Sequence, residues 1–137
     1  MKTMQRVSVS STANWMSGRS LRQMTALLGL GAKYRKKIEQ ARVELYKGQC
    51  NCAYWHGVFG GLYLYHLRSA VYHHLIKAET IIDEIINNRS GWIDYQYGDF
   101  DTDGFNEAIV SNREMSLFFD ADDGGAITEF DLKAKAV

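Results

Sequence analysis

Proline is absent from all 137 residues, although average usage of about 5% would place several in a chain this long. Turns must therefore be made by glycine, asparagine and aspartate, and the unfolded chain keeps more freedom than one punctuated by proline. Net charge is also missing. Sixteen basic residues balance sixteen acidic ones, leaving no field that would gather nucleic acid or an anionic membrane. No apolar run approaches the roughly 20 residues needed to span a bilayer, and Met1 to Ser20 lacks the apolar centre of a secretory signal. These absences predict a cytoplasmic protein with no nucleic-acid or membrane partner. Cysteine is confined to Cys50 and Cys52. Two thiols one residue apart make a poor disulfide, so both are expected to be reduced and packed as small apolar groups.

What is present divides the chain into three stretches. The length suffices for one domain or for pieces of two. Met1 to about Gly31 mixes Ser, Thr and Gly with short apolar clusters, and Leu21 to Leu30 is its best helix candidate. Leu30, Tyr34, Ile38, Ala41 and Leu45 then recur every three or four residues, which marks one apolar helical face, with Gly48 placed to end it. Leu64, Leu67, Val71, Leu75, Ala78, Ile82 and Ile85 keep the same spacing in a second helix, stopped by Asn87, Asn88 and Gly91. From Ser90 the period becomes two. Ile93, Tyr95 and Tyr97 alternate with Asp94 and Gln96 as a half-buried strand. Ala108 to Val110, Met115 to Phe119 and Ala126 to Leu132 supply further strands, and Asp122-Asp123-Gly124-Gly125 is hairpin-turn chemistry. The predicted class is α+β. Two long antiparallel helices belong to a helical unit over 1–90, poorly defined over 1–31. The first antiparallel strands of an incomplete β-sandwich follow over 91–137. Four short strands would leave an apolar face and unpaired edges exposed, so the chain reads as an excerpt of something longer.

The connection between the helices is the chemically dense part. Gln49-Cys50-Asn51-Cys52-Ala53-Tyr54-Trp55-His56-Gly57-Val58-Phe59-Gly60-Gly61 crowds two thiols, an amide, three aromatic rings, an imidazole and three glycines into thirteen residues. Ordinary helix-to-helix loops are short and polar; this one has the composition of a loop that shapes a pocket. Aromatic faces stack on pyranose rings, and amide and imidazole groups take hydroxyls. Trp55 is the candidate platform with Tyr54 beside it, and His56 and Asn51 are the candidate hydroxyl partners. The competing reading places Trp55 and Phe59 as plugs between helices, with His56 capping a helix end.

This stretch, continuing into Leu62-Tyr63-Leu64-Tyr65-His66-Leu67-Arg68, resembles the middle helical domain of glycoside hydrolase family 57, the α-amylase and 4-α-glucanotransferase type. The resemblance runs from about Ala41 onward and resumes at Ser111-Asn112-Arg113-Glu114 and from Asp122-Asp123-Gly124-Gly125 to Leu132, which are similar to the first strands of the family's C-terminal β-sandwich. It implies an α-1,4-glucan substrate in the context of a full enzyme, and a loop that faces the active-site mouth of an N-terminal barrel. It also implies that proline commonly stands where this chain has Tyr65 and Ala121, and that many relatives carry aspartate at Cys52. Retaining glycosidases need two positioned carboxyl groups, which in this family belong to the barrel. No catalytic residue is therefore expected here, and the chain is read as a non-catalytic part of an α-glucan-acting enzyme. The alternative is a stand-alone carbohydrate- or calcium-binding module.

Other acids and imidazoles offer secondary chemistry. Glu79, Asp83 and Glu84 have the spacing of an ordinary helix surface. Asp99-x-Asp101-x-Asp103-Gly104-x-x-Glu107 matches the first nine positions of a calcium loop, but position twelve is Val110, so it is not an EF-hand. No cofactor is required by the sequence, and Ca²⁺ is the candidate ion at this loop; the competing reading is a solvated acidic hairpin. A zinc site from Cys50, Cys52 and His56 with His66 or His73 is the weaker reading, because a Cys-x-Cys pair is a poor chelate.

Overall fold

The computed structural model describes residues 32–55, 58, 60–100 and 103–137; the helix expected over Leu21 to Leu30 lies outside them. A 3-10 turn at Ala32–Tyr34 runs into α1, Arg35–Gly48, and α2 spans Tyr65–Ile86. The two run antiparallel: Lys37 early in α1 pairs with Glu84 late in α2 at 2.8 Å, and Glu44 meets His74 Nδ1 at 2.7 Å. Burial would push the Glu44 carboxyl up, but hydrogen bonds from Lys47 and His74 outweigh it and hold the group below its ordinary range. The residues of the helical period form the core, with Ala41, Leu45, Leu75, Ala78 and Ile82 fully buried.

Gly48 has a different role from the one its position suggests. It lies inside the last turn of α1 and is buried, and a Cβ there would come within 2.5 Å of Leu75 Cδ2. Close helix packing, rather than a left-handed cap, requires glycine at this point. The start of α2 explains a missing proline. Tyr65 is the first helical residue, and Leu64 before it is extended at φ −87° and ψ 106°, the backbone that a following proline demands.

Four strands form one antiparallel sheet in chain order: β1 Ile93–Gly98, β2 Glu107–Asn112, β3 Met115–Asp120 and β4 Ala126–Leu132. The β3–β4 hairpin turns where expected. Gly124 and Gly125 adopt φ +71° and +77°, and Asp120 Oδ1 accepts the N–H groups of Asp122 and Asp123. The sheet has an unexpected polarity. Ile93, Tyr95 and Tyr97 are exposed, whereas Asp94 and Gln96 lie on the more covered face. That covered face brings Ile109 and Phe118 into the same core as Ile82 and Ile85 of α2, and Ser111 and Ser116 satisfy one another there at 3.0 Å.

The helices and the sheet are also joined by a buried ion pair. Lys133, just after β4, donates to Asp83 Oδ2 at 2.6 Å, with side-chain exposures of 1% and 7%. Its ammonium also donates to the Asn112 carbonyl at 2.8 Å and lies 5.0 Å from the centre of the Trp92 ring. The expectation of a surface run at Glu79, Asp83 and Glu84 is therefore corrected, since Glu79 and Asp83 are buried and only Glu84 is exposed. Asp83 is buried because its partner arrives from fifty residues further along the chain. Nearby, His73 Nδ1 approaches the Ala136 carbonyl at 3.2 Å, a second tie between α2 and the segment after β4.

Two stability outcomes follow from these contacts. Lys133→Met strands the Asp83 carboxylate in the interior and should cost about 3–5 kcal/mol in urea unfolding, while Asp83→Leu combined with Lys133→Met should recover most of that loss. A double variant no more stable than Lys133→Met alone would contradict a stranded charge as the cause. Tyr65→Pro should raise stability by about 0.4–1 kcal/mol by restricting the unfolded chain, read as a higher thermal midpoint; a lowered midpoint would place a strained backbone at Tyr65.

Candidate functional site

The aromatic connection is a braced structure. After α1 the chain extends at Cys50 and makes a 3-10 turn at Asn51–Ala53 that buries Ala53. Tyr54 then folds back, and its hydroxyl donates to the Gly48 carbonyl. Burial, with a smaller contribution from Cys50, pushes this phenol up to about 12. The return path begins at Gly60, where φ is +62°. Gly61 passes so close to the Cys52 carbonyl that a Cβ would overlap it. Leu62 N–H donates to the Trp55 carbonyl at 3.2 Å, and Arg68 Nη1 closes onto the Leu62 carbonyl at 2.7 Å. Glycine is needed at Gly61 for this backbone approach, which fixes the two arms of the loop against each other.

The braces separate the candidates. Trp55 stands 57% exposed, with Asn51 exposed beside the same turn; that exposure does not fit a plug between helices. Tyr54 is half-buried, packs against the core and spends its hydroxyl internally. His56 and Phe59 lie outside the described residues. Cys50 and Cys52 are free thiols as expected, but both are exposed rather than packed, because the turn directs Ala53 inward in their place. Tyr63 and Tyr65 are exposed large rings that follow the loop's return arm. Sequence reasoning passed over them as site residues; their signal is that both fall off the Leu64–Leu67–Val71 stripe.

No carboxylate occurs anywhere between Gln49 and Arg68, so the loop can stack and hydrogen-bond but offers no carboxylate acid, base or nucleophile. Among the described residues Cys50, Cys52, His66 and His73 do not converge on a common point. His66 is exposed on the first turn of α2, while His73 is turned toward Ala136. Surface grooves among the described residues lie elsewhere. One of about 420 Å³ runs between α1 and α2 past Val43 and Ile81. Another, of about 590 Å³, lies at the junction of helix and sheet beside Asp83, Trp92 and Lys133.

The acidic segment folds as a compact loop between β1 and β2. Asp99, Asp103 and Glu107 bring carboxylate oxygens within 4.8 Å of one another; Asp101 lies outside the described residues. Asp99 accepts the N–H groups of Asp103 and Gly104, each at 3.1 Å. Asp103 Oδ1 accepts that of Phe105 at 2.9 Å, and buried Glu107 accepts that of Phe100 at 2.8 Å. Gly104 adopts φ +94°, a conformation that favours glycine. These oxygens serve the loop's own backbone while remaining grouped closely enough to share a cation.

The comparisons with known proteins follow the same division of the chain. Residues 8–82 match the family described as alpha-amylase/4-alpha-glucanotransferase, middle domain, and residues 99–137 match its C-terminal domain. The middle-domain match extends upstream of Ala41, where the sequence resemblance had begun. An alpha-amylase of Dictyoglomus thermophilum is 46% identical over 98 residues, covering 72% of this chain and 13% of that protein. A 4-alpha-glucanotransferase of Thermococcus kodakarensis is 41% identical over 98 residues, covering 72% and 14%. The crystal structure of the Thermococcus litoralis 4-alpha-glucanotransferase aligns with a TM-score of 0.68 at 37% identity, over 91% of this chain and 17% of that one. The chain thus spans about one seventh of the length of its curated relatives, and nothing in these matches favours a stand-alone module. Two matched domains, high identity and a shared fold agree: the chain belongs to the α-amylase/4-α-glucanotransferase family, glycoside hydrolase family 57.

Proposed function

We propose that this chain contributes an aromatic wall to an α-glucan-binding cleft and takes no part in the bond-breaking chemistry. The observation that carries the reading is Trp55, a large ring held 57% exposed on a loop whose two arms are tied at Trp55–Leu62, with Leu62 held in turn by Arg68 of α2. An apolar ring costs free energy in water, and a fixed ring is a surface on which a pyranose can stack without further ordering. Asn51 supplies amide donors and acceptors, and His56 supplies an imidazole in the same segment. Tyr54 supports the platform from beneath through Gly48. The relatives are alpha-amylases and 4-alpha-glucanotransferases, which supports an α-glucan as the substrate class. A carboxylate pair supplied by a part of the enzyme outside this chain would perform the transfer.

Titration of the chain with maltoheptaose, followed by nuclear magnetic resonance, tests the reading. The Trp55 indole and Asn51 side-chain amide signals are expected to shift on saturation, with no cleavage product. Trp55→Ala should abolish the shifts while leaving the melting temperature nearly unchanged, and Trp55→Phe should retain much of the binding because it keeps a stacking face. Loss of about 3–5 kcal/mol on Trp55→Ala, the cost of truncating a buried Trp, together with unaltered affinity, would move this residue to the core. Turnover that survives repurification would refute the non-catalytic assignment.

A calcium site at Asp99, Asp103 and Glu107, with Asp101 in the same segment, is the second proposal, and the support for it is the grouping of their oxygens within 4.8 Å. Ca²⁺ should raise the thermal midpoint, by roughly 2.7 kcal/mol of native-state stabilisation at a hundredfold excess over the dissociation constant. Mg²⁺ should do less, since it gives up water reluctantly. Identical melting in calcium and in chelator would leave the loop as a solvated hairpin held by its backbone hydrogen bonds.

A further inference from the structure

The outgoing arm of the aromatic loop is braced by the Tyr54 hydroxyl on the Gly48 carbonyl, and the return arm is braced from α2. Within that return arm Tyr63 N–H donates to the Gly60 carbonyl at 3.0 Å and Leu64 N–H to that of Gly61 at 3.1 Å. The ladder then breaks, because Leu64 is extended at φ −87° and ψ 106°. The Leu62 carbonyl instead accepts from Arg68 Nη1 at 2.7 Å, a half-buried contact made from six residues further on. At its other end Leu62 donates its N–H to the Trp55 carbonyl at 3.2 Å. One residue is thus pinned twice, to the residue that carries the exposed ring and to a helix whose next turns, at Val71 and Leu75, lie in the core.

We propose that Arg68 is a positioning residue for the Trp55 platform: it orders the ring through Leu62 and touches neither the sugar nor the bond that is broken. The inference deepens the reading of Trp55 as a glucan platform and rests on it. The two bonds at Leu62 differ in strength. A charged donor makes the shorter and stronger one, whereas the neutral bond to Trp55 stands at the long end of the ordinary range and holds only while Leu62 is kept in place. A guanidinium suits the task, since its planar fork is pre-organised and loses little freedom for each bond it makes. A platform anchored in this way has less disorder to give up when a pyranose stacks on it, so the effect of Arg68 falls on affinity.

The test first reads Trp55 without any sugar. In the nitrogen-15-labelled chain the heteronuclear Overhauser effect of the Trp55 indole N–H, assigned by its absence from Trp55→Phe, reports order on the picosecond-to-nanosecond scale. Arg68→Met keeps the apolar stem and removes every donor; it is expected to lower that value while the thermal midpoint stays nearly unchanged. Maltoheptaose affinity of the same variant should fall roughly tenfold, the scale of one hydrogen bond to a charged group, and Arg68→Lys, which keeps a charged donor, should recover most of both. If Arg68→Met lowers the midpoint, Arg68→Gln, polar but too short to reach the Leu62 carbonyl, carries the same test. An indole as ordered in these variants as in the parent overturns the proposal. Weaker binding with an unchanged indole also overturns it, because Arg68 would then contact the sugar itself. A parent chain that binds no maltoheptaose refutes the glucan reading alone, and loss of indole order in Arg68→Met would still support the positioning of Trp55 by Arg68.

Discussion

The ion pair between Asp83 and Lys133 is the constraint on which the arrangement of helix and sheet depends. A carboxylate and an ammonium withdrawn from water each lose several kcal/mol of hydration, and only mutual contact with further hydrogen bonds offsets that loss. Here the ammonium is held by Asp83, by the Asn112 carbonyl and over the Trp92 ring. The contact draws together α2, the segment entering β1, the end of β2 and the segment following β4. The apolar contacts of Ile109 and Phe118 with the helical core contribute area, but they do not specify one orientation as a single buried charge does. A sheet shifted relative to the helix would leave Asp83 without its counter-charge.

Below that junction the helix pair follows from periodicity and two close approaches. Gly48 lets the end of α1 come against Leu75, and Gly61 lets the returning loop touch the Cys52 carbonyl. Both glycines serve close approach rather than turn conformation. Under the proposed function, a ring ordered before its ligand arrives avoids the entropy of being ordered on binding, and Tyr54, directed inward to the Gly48 carbonyl, would brace the loop that carries Trp55.

Much of this was legible in the residues. The spacing of Ala41, Leu45, Val71, Leu75 and Ile82 located the helical core, and the period-two segments with Asp122-Asp123-Gly124-Gly125 located the strands and the last hairpin. The resemblance of the aromatic segment to family 57 agrees with the domain matches. The Cys residues and the acidic helix positions were read less well. Burial of Cys50 and Cys52 was inferred from average behaviour, whereas the 3-10 turn at Asn51–Ala53 gives the interior to Ala53. Glu79 and Asp83 looked like surface acids because helical spacing describes one element and carries no record of what packs against it.

The sequence by itself determined the local conformations: which segments coil, which extend, where glycine permits a turn, and that the loop between the helices is aromatic and free of carboxylates. These are properties of neighbouring residues, set by side-chain period and backbone freedom. Tertiary structure decided which side of each element meets water. Alternation in β1 marked Ile93, Tyr95 and Tyr97 as one face without saying whether it would be covered, and packing against α2 took the opposite face. It likewise gave Asp83 a partner fifty residues away and turned Tyr54 inward while leaving Trp55 exposed. Such outcomes depend on contacts between segments distant in sequence, and no local pattern of hydrophobicity or charge encodes them.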